Sequence, residues 1–99
     1  MASGTSRVVR GSFVGSGAAL NVRTVGFRPR TVNLWNIDGL AKAHWQDTFP
    51  DASAWKVITA GTQSYITTNG VTPLSDGFQL GADADLNVSG EVVHWEAVE

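Results

Sequence analysis

Glu91-Val92-Val93-His94-Trp95-Glu96-Ala97-Val98 decides the fold class. Val93, Trp95 and Ala97 alternate strictly with Val92, His94 and Glu96, which is the period-two signature of a strand with one buried face. Residues 31–37 repeat the pattern most strongly, with Val32 and Leu34 set against Asn33 and Trp35. Outward from these two strands, the chain breaks into short runs bounded by turn residues. Residues 7–14 and 19–25 read as strands around a hairpin turn at Gly15-Ser16-Gly17. Gly26-Phe27-Arg28-Pro29-Arg30 is a bend, because proline fixes φ and donates no ladder bond. Asp38-Gly39 is a tight-turn signal, and residues 40–47 suit a short helical turn and a strand equally. Residues 54–59 and 64–68 are two strands flanking Ala60-Gly61-Thr62. Asn69-Gly70, Pro73 and Asp76-Gly77 punctuate a loop before a short strand at residues 78–80. Residues 83–87 read as an extended segment or loop, and Ser89-Gly90 as a turn.

Glycine, serine, threonine and β-branched residues spread over the whole length disfavour long helices. Seven to eight short strands at this spacing predict an all-β fold, a single β-sandwich or barrel of antiparallel strands over residues 7–99. The small polar residues 1–6 read as a flexible N-terminal arm. Ninety-nine residues hold one core. Its main candidates are Trp35, Trp45, Trp55 and Trp95 with four phenylalanines, each able to bury on the order of 150–250 Å².

Charge is lopsided although the total is −2. Residues 1–30 carry five arginines and no acid; residues 31–99 carry Lys42 and Lys56 against nine acids. Basic and acidic strands interleaved in one sheet would neutralise each other. A polyanion-binding arm is the sharper reading of the same asymmetry, but no arginine cluster is dense. The tryptophan-bearing segment is acidic, against the basic groove that single-stranded nucleic acid requires, so no nucleic-acid partner is expected. No apolar run is long enough to span a membrane as a helix, and the N-terminus lacks the apolar stretch of a signal peptide. Without cysteine there is no disulfide framework and no thiolate chemistry, which favours synthesis in a reducing cytoplasm.

Catalysis finds little to work with. His44 and His94 are the only imidazole bases, and no Gly-x-Ser-x-Gly elbow accompanies them. Two histidines without a spaced third ligand also make a poor transition-metal site. Gly15-Ser16-Gly17 opens like a phosphate-cradling loop but lacks the third glycine and the following helix. Asp83-Ala84-Asp85 opens like a calcium loop, then breaks: Val88 stands where the loop needs glycine and His94 where it needs the bidentate glutamate. A looser calcium site completed by Asp76 or a backbone carbonyl competes with a plain solvated strand edge. Asn87-Val88-Ser89 matches a glycosylation sequon, which has meaning only in a secretory context. Neither enzymatic activity, metal nor cofactor is expected. Exposed indoles stack on sugar faces, and Trp45 and Trp55, beside polar loop residues, are the tryptophans placed for that, although core or interface packing is the plainer use.

Three ordered segments carry a family resemblance. Gly11-Ser12-Phe13-Val14-Gly15-Ser16-Gly17 is similar to an opening strand and glycine turn. Val25-Gly26-Phe27-Arg28-Pro29-Arg30, running on to Trp35, is similar to a glycine-phenylalanine-x-proline bend leading into an aromatic strand. Asp76-Gly77-Phe78-Gln79-Leu80-Gly81, continuing through Asn87-Val88-Ser89-Gly90 to Trp95 and Ala97, is similar to a glycine-phenylalanine strand, an asparagine-x-x-glycine turn and a closing strand. Together they resemble small β domains of bacteriophage head and tail proteins; residues 39–73 depart from that pattern. The structural motif residues are Gly26, Phe27, Pro29, Trp35, Gly77, Phe78, Gly81, Asn87, Gly90 and Trp95.

The resemblance implies a virion structural role and no catalytic residue. A free-standing chain of this length, starting at its own methionine, looks like a head decoration (cement) protein, which clamps the major capsid protein from outside, commonly as a homotrimer on the capsid surface. Ser3, Thr5, Arg7 and Arg10 are the expected capsid-docking residues. The alternative is a tail or fibre module recognising host-surface glycan.

Overall fold

The structure is a computed structural model and describes residues 7–99; the expected arm at residues 1–6, with the docking candidates Ser3 and Thr5, lies outside them. Eight strands follow in order: β1 (Val8–Val14), β2 (Leu20–Val22), β3 (Thr31–Asn36), β4 (Ala41–Gln46), β5 (Ser53–Val57), β6 (Gln63–Leu74), β7 (Gly77–Leu80) and β8 (Val92–Val98). All pair antiparallel in one sheet of order β1-β8-β3-β4-β5-β6-β7-β2, curled into a half-barrel. A five-strand meander, β3 to β7, thus forms the middle. The closing strand β8 slots between β3 and β1, and the short β2 takes the far edge beside β7.

Curling brings the two ends of the sheet over one another. Phe78 on β7 and Trp95 on β8 have four strands, β3 to β6, between them in the ladder, yet their rings meet edge to face with centroids 5.6 Å apart. Between them lies the core. Val32, Leu34, Ala43, Trp45, Ala54, Val71, Phe78, Leu80, Leu86, Val93 and Ala97 are buried, each at the inward phase of its strand or, for Leu86, on the loop that plugs the open side. Glycine permits the closest approach at Gly77, where a Cβ would run into the backbone carbonyl of Val22 on the edge strand.

Several local expectations change. The stretch open to both a helical turn and a strand is strand over Ala41–Gln46, because Ala41, Ala43 and Trp45 face inward in turn while Lys42, His44 and Gln46 face out. Gly15-Ser16-Gly17 is no hairpin turn: β1 and β2 do not pair but sit on opposite edges, and the segment crosses the rim between them. There Gly15 N–H donates to Glu91 O (2.8 Å), and Ser16 N–H donates to Asn87 Oδ1 (2.9 Å). Asn69-Gly70 and Pro73 belong to the long β6 rather than to a loop. The β5–β6 ladder jumps from Ala54↔Ile66 to Ser53↔Val71, so residues 67–70 form a bulge that bends the sheet, with Asn69 at φ 60°. Gly81 N–H donates to Gly70 O (3.0 Å), which sets the alternation that turns the nitrogen of Pro73 away from β7. β5 has ended before that point, so no neighbour requires the missing donor.

Candidate functional site

The register of β3, β4, β5 and β6 tiles the outer face of the sheet in two rows. Trp35, Lys42, Val57 and Gln63 are successive cross-strand partners in one row; Asn33, His44, Trp55 and Tyr65 are partners in the next. Neighbouring strands lie about 4.8 Å apart, so this is a continuous surface. Trp35, Trp55 and Tyr65 are respectively 41%, 43% and 45% exposed. A groove of about 190 Å³ opens between the two indoles, floored by Lys42, His44 and Val57. It runs into an apolar depression of about 300 Å³ that reaches the β3–β4 hairpin, where Ile37 and Leu40 stand exposed.

Hydrogen bonds hold this face rigid from within. His44 Nδ1 lies 2.7 Å from Asn33 Oδ1 and its Nε2 lies 3.0 Å from Gln46 Oε1. Trp55 Nε1–H donates to Gln63 Oε1 (3.0 Å), and Asn33 Nδ2 approaches Glu96 Oε1 (3.4 Å). Phe49 packs edge-on against both His44 and Tyr65, with centroids 6.1 and 5.6 Å away. At the hairpin, Asn36 Oδ1 accepts from the N–H groups of Asp38 and Gly39 (both 3.1 Å), and Leu40 is left with φ 54°. A leucine in that left-handed region is strained where glycine would not be.

The acidic pair has a different task from the expected one. Asp83 is buried, not on a solvated strand edge. Lys56 Nζ reaches Asp83 Oδ2 at 3.0 Å and Asp85 Oδ2 at 2.8 Å, while Asp83 Oδ1 accepts from the N–H groups of Asp85 and Leu86 (2.9 and 3.1 Å). An ammonium thus occupies the place a cation would take, and Asp76 is engaged elsewhere, with Arg23 at 2.9 Å. Burial, the largest single influence, pulls the Lys56 pKa down; its hydrogen bonds to Asp85 and Asp83, with their charges, outweigh that and leave it raised. Among the described residues, no group of three or more metal-binding side chains is placed to hold an ion.

Asn87 is a rim staple. Its buried Nδ2 donates to Ala18 O (2.6 Å) and Gly81 O (3.0 Å), so the sequon nitrogen is committed inside the fold. Gly90, at φ 84°, donates its N–H to Gly15 O (3.0 Å), and Gly26, at φ 86°, to Asp76 O (3.1 Å). Phe27 and Pro29 are buried, and Gly81 packs against the backbone of Asn69. Phe78 and Trp95 form the core contact described above. Nine of the ten motif residues therefore serve turns, rim or core, and Trp35 alone looks outward.

The charged ends neutralise one another across β1 and β8. Arg7 pairs with Glu99 (2.6 Å) and Arg10 with Glu96 (2.9 Å), so neither docking candidate presents a bare cation. The Arg7 guanidinium also stands 4.9 Å over the Phe27 ring, and its hydrogen bond holds the Glu99 carboxyl below its ordinary pKa. Of the four tryptophans expected in the core, Trp95 is buried and so is Trp45, with its Nε1–H donating to Pro50 O (3.2 Å), whereas Trp35 and Trp55 lie at outward positions of their strands and are exposed. A cleft of about 450 Å³ at one barrel end mixes Arg28 and Arg30 with Asp47, Asp51 and Glu99, the last already paired with Arg7.

Comparison with known proteins finds no matching family model, no similar curated protein and no similar solved structure.

Lys42, Tyr65, Ile37 and Leu40 escaped sequence reasoning. The missing signal was the phase of β4: once Ala41, Ala43 and Trp45 are inward, Lys42 and its partners Trp35 and Val57 must share the other face.

Proposed function

We propose that this chain is a bacteriophage virion structural protein, a head decoration (cement) protein that binds the outer surface of the capsid, contacts the major capsid protein and stabilises the shell. The observation that carries the reading is the outer face of β3–β6, a contiguous exposed band of Trp35, Trp55, Tyr65, Ile37 and Leu40 on a rigid sheet. Patches of this kind mark interaction sites, and tryptophan and tyrosine are enriched where interfaces concentrate their binding energy. The resemblance to phage β domains supplies the virion context, and in that context the active assembly is a homotrimer made in the host cytoplasm and displayed on the capsid.

Expanded, emptied capsids of the encoding phage test the reading directly. The protein is expected to co-sediment with them saturably and to raise the temperature at which they disrupt, and a complete failure to bind overturns the assignment. Native mass spectrometry of the free protein reads the trimer separately. A tail or fibre module recognising glycan is the second reading, motivated by the same exposed aromatics.

A further inference from the structure

The outer band has a composition that discriminates between partners. A saccharide needs free donors and acceptors for its hydroxyl groups, since each hydroxyl taken from water without a new partner is costly. Here those of Asn33, His44, Gln46, Trp55 and Gln63 are largely engaged with one another or with Glu96 and Thr48. Lys42 is exposed at the centre of the groove and makes no ion pair among the described residues. The tile thus offers aromatic and aliphatic surface around one unpaired positive charge. Leu40 adds to this, since a leucine held at φ 54° and 67% exposed has its apolar side chain projected outward at a conformational cost.

We propose that the groove between Trp35 and Trp55 is a docking site for an acidic peptide segment of a partner protein, its apolar side chains seated on the indoles and beside Leu40 and a carboxylate meeting Lys42. A second copy of this chain suits the groove less well. Of its nine side-chain carboxylates, Glu96, Glu99, Asp76, Asp83 and Asp85 are in ion pairs, Glu91 binds Asn36, and Asp38 accepts from Val92 N–H; the other two, Asp47 and Asp51, line a cleft beside Arg28 and Arg30 rather than standing on an apolar segment that could fill the groove. The proposal rests on the docking reading above for the face it uses, but not on the partner being a capsid.

Panning the intact protein against a displayed library of random linear peptides tests it. The expected consensus combines apolar residues with an aspartate or glutamate. Binding of a synthetic consensus peptide, followed by tryptophan fluorescence, should fall about tenfold or more with Lys42→Glu and with Trp55→Ala. It should change by less than about twofold with Arg23→Ala, whose exposed ion pair with Asp76 lies beside the far edge strand β2. A peptide with the acid replaced by lysine should bind Lys42→Glu better than it binds the wild type. Lys42→Gln, which removes the charge without reversing it, should give an intermediate loss. The proposal is overturned by a consensus without an acid, by no consensus, or by a winning peptide indifferent to both groove substitutions. It is equally overturned if a glycan array gives binding that Trp55→Ala abolishes, or if the groove mediates a dimer that Trp35→Ala dissolves. Peptide specificity retained by a protein that ignores capsids would sink the virion reading and leave this one standing.

Discussion

Trp45 and Trp55 stand on adjacent strands, β4 and β5, yet one is 2% and the other 43% exposed. The same contrast runs through the whole centre of the sheet. Inward positions of β3 to β5 carry Val32, Leu34, Ala41, Ala43, Trp45 and Ala54, a tight alternation of large and small side chains. Outward positions carry Asn33, Trp35, Lys42, His44 and Trp55, where large aromatics stand beside polar groups. An inner aromatic is held by close packing on all sides, whereas an outer one keeps part of its surface in water and adds little to folding. The two faces should therefore separate under mutation, the inner one reporting stability and the outer one binding.

The largest effect is expected from Trp45→Ala. It removes a fully enclosed indole and leaves Pro50 O with only the Ser53 hydroxyl as donor (2.6 Å). A loss of about 4 kcal/mol, read as a lower urea midpoint with an unchanged slope, would leave a domain of this size barely folded. A loss under about 1 kcal/mol would mean that the inner face is not the close-packed one.

Lys56→Met comes next. It leaves Asp83 buried without its counter-ion, although the N–H groups of Asp85 and Leu86 still hold one oxygen; breaking such a pair costs about 3 kcal/mol. The raised Lys56 pKa fixes the pH dependence. A group whose pKa is higher folded than unfolded stabilises fully below the unfolded value, about 10.4, and loses that contribution as pH climbs through the folded one. Urea midpoints of wild type and variant should differ by a constant amount from pH 7 to about 9.5 and converge only above that range. Convergence at neutral pH would mean that Lys56 is not the bonded cation.

Legibility in the sequence followed the same division. The inner face was readable wherever alternation was clean, as in Val32 and Leu34 or Val93, Trp95 and Ala97, because burial imposes one phase along a strand. It stayed open at residues 40–47, where small alanines hide the apolar stripe, and with it the choice between a core and an exposed place for Trp45. Lys56 with Asp83 and Asp85 was invisible for another reason: the partners lie 27 and 29 residues apart, on β5 and on the plugging loop, and nothing local signals a contact set by curling. Likewise Gly15-Ser16-Gly17 had the chemistry of a hairpin turn, and only the slotting of β8 beside β1 makes it a bridge across the rim.

A smaller effect of opposite sign is expected from Leu40→Gly. The substitution relieves the left-handed backbone and removes an exposed side chain, so stability should rise by up to about 1 kcal/mol, less what glycine's unfolded freedom takes back. Peptide binding at the groove should weaken in the same variant. Gain in melting temperature together with loss of binding is the signature of strain retained for function; a fall in both would make Leu40 an ordinary packing residue.

Smallest of all should be the stability change for Trp35→Ala and Trp55→Ala, within about 0.5 kcal/mol each, as for surface positions outside a core or buried network. Trp55 gives the sharper test, because its Nε1–H is bonded to Gln63 and its ring lies opposite Tyr65. If these cross-strand contacts matter to the sheet, the loss rises to about 1 kcal/mol and should be matched by Tyr65→Ala, with the double variant less than additive. If instead both singles leave the denaturation midpoint in place while peptide affinity falls about tenfold, the outer aromatics are positioned by the fold without supporting it.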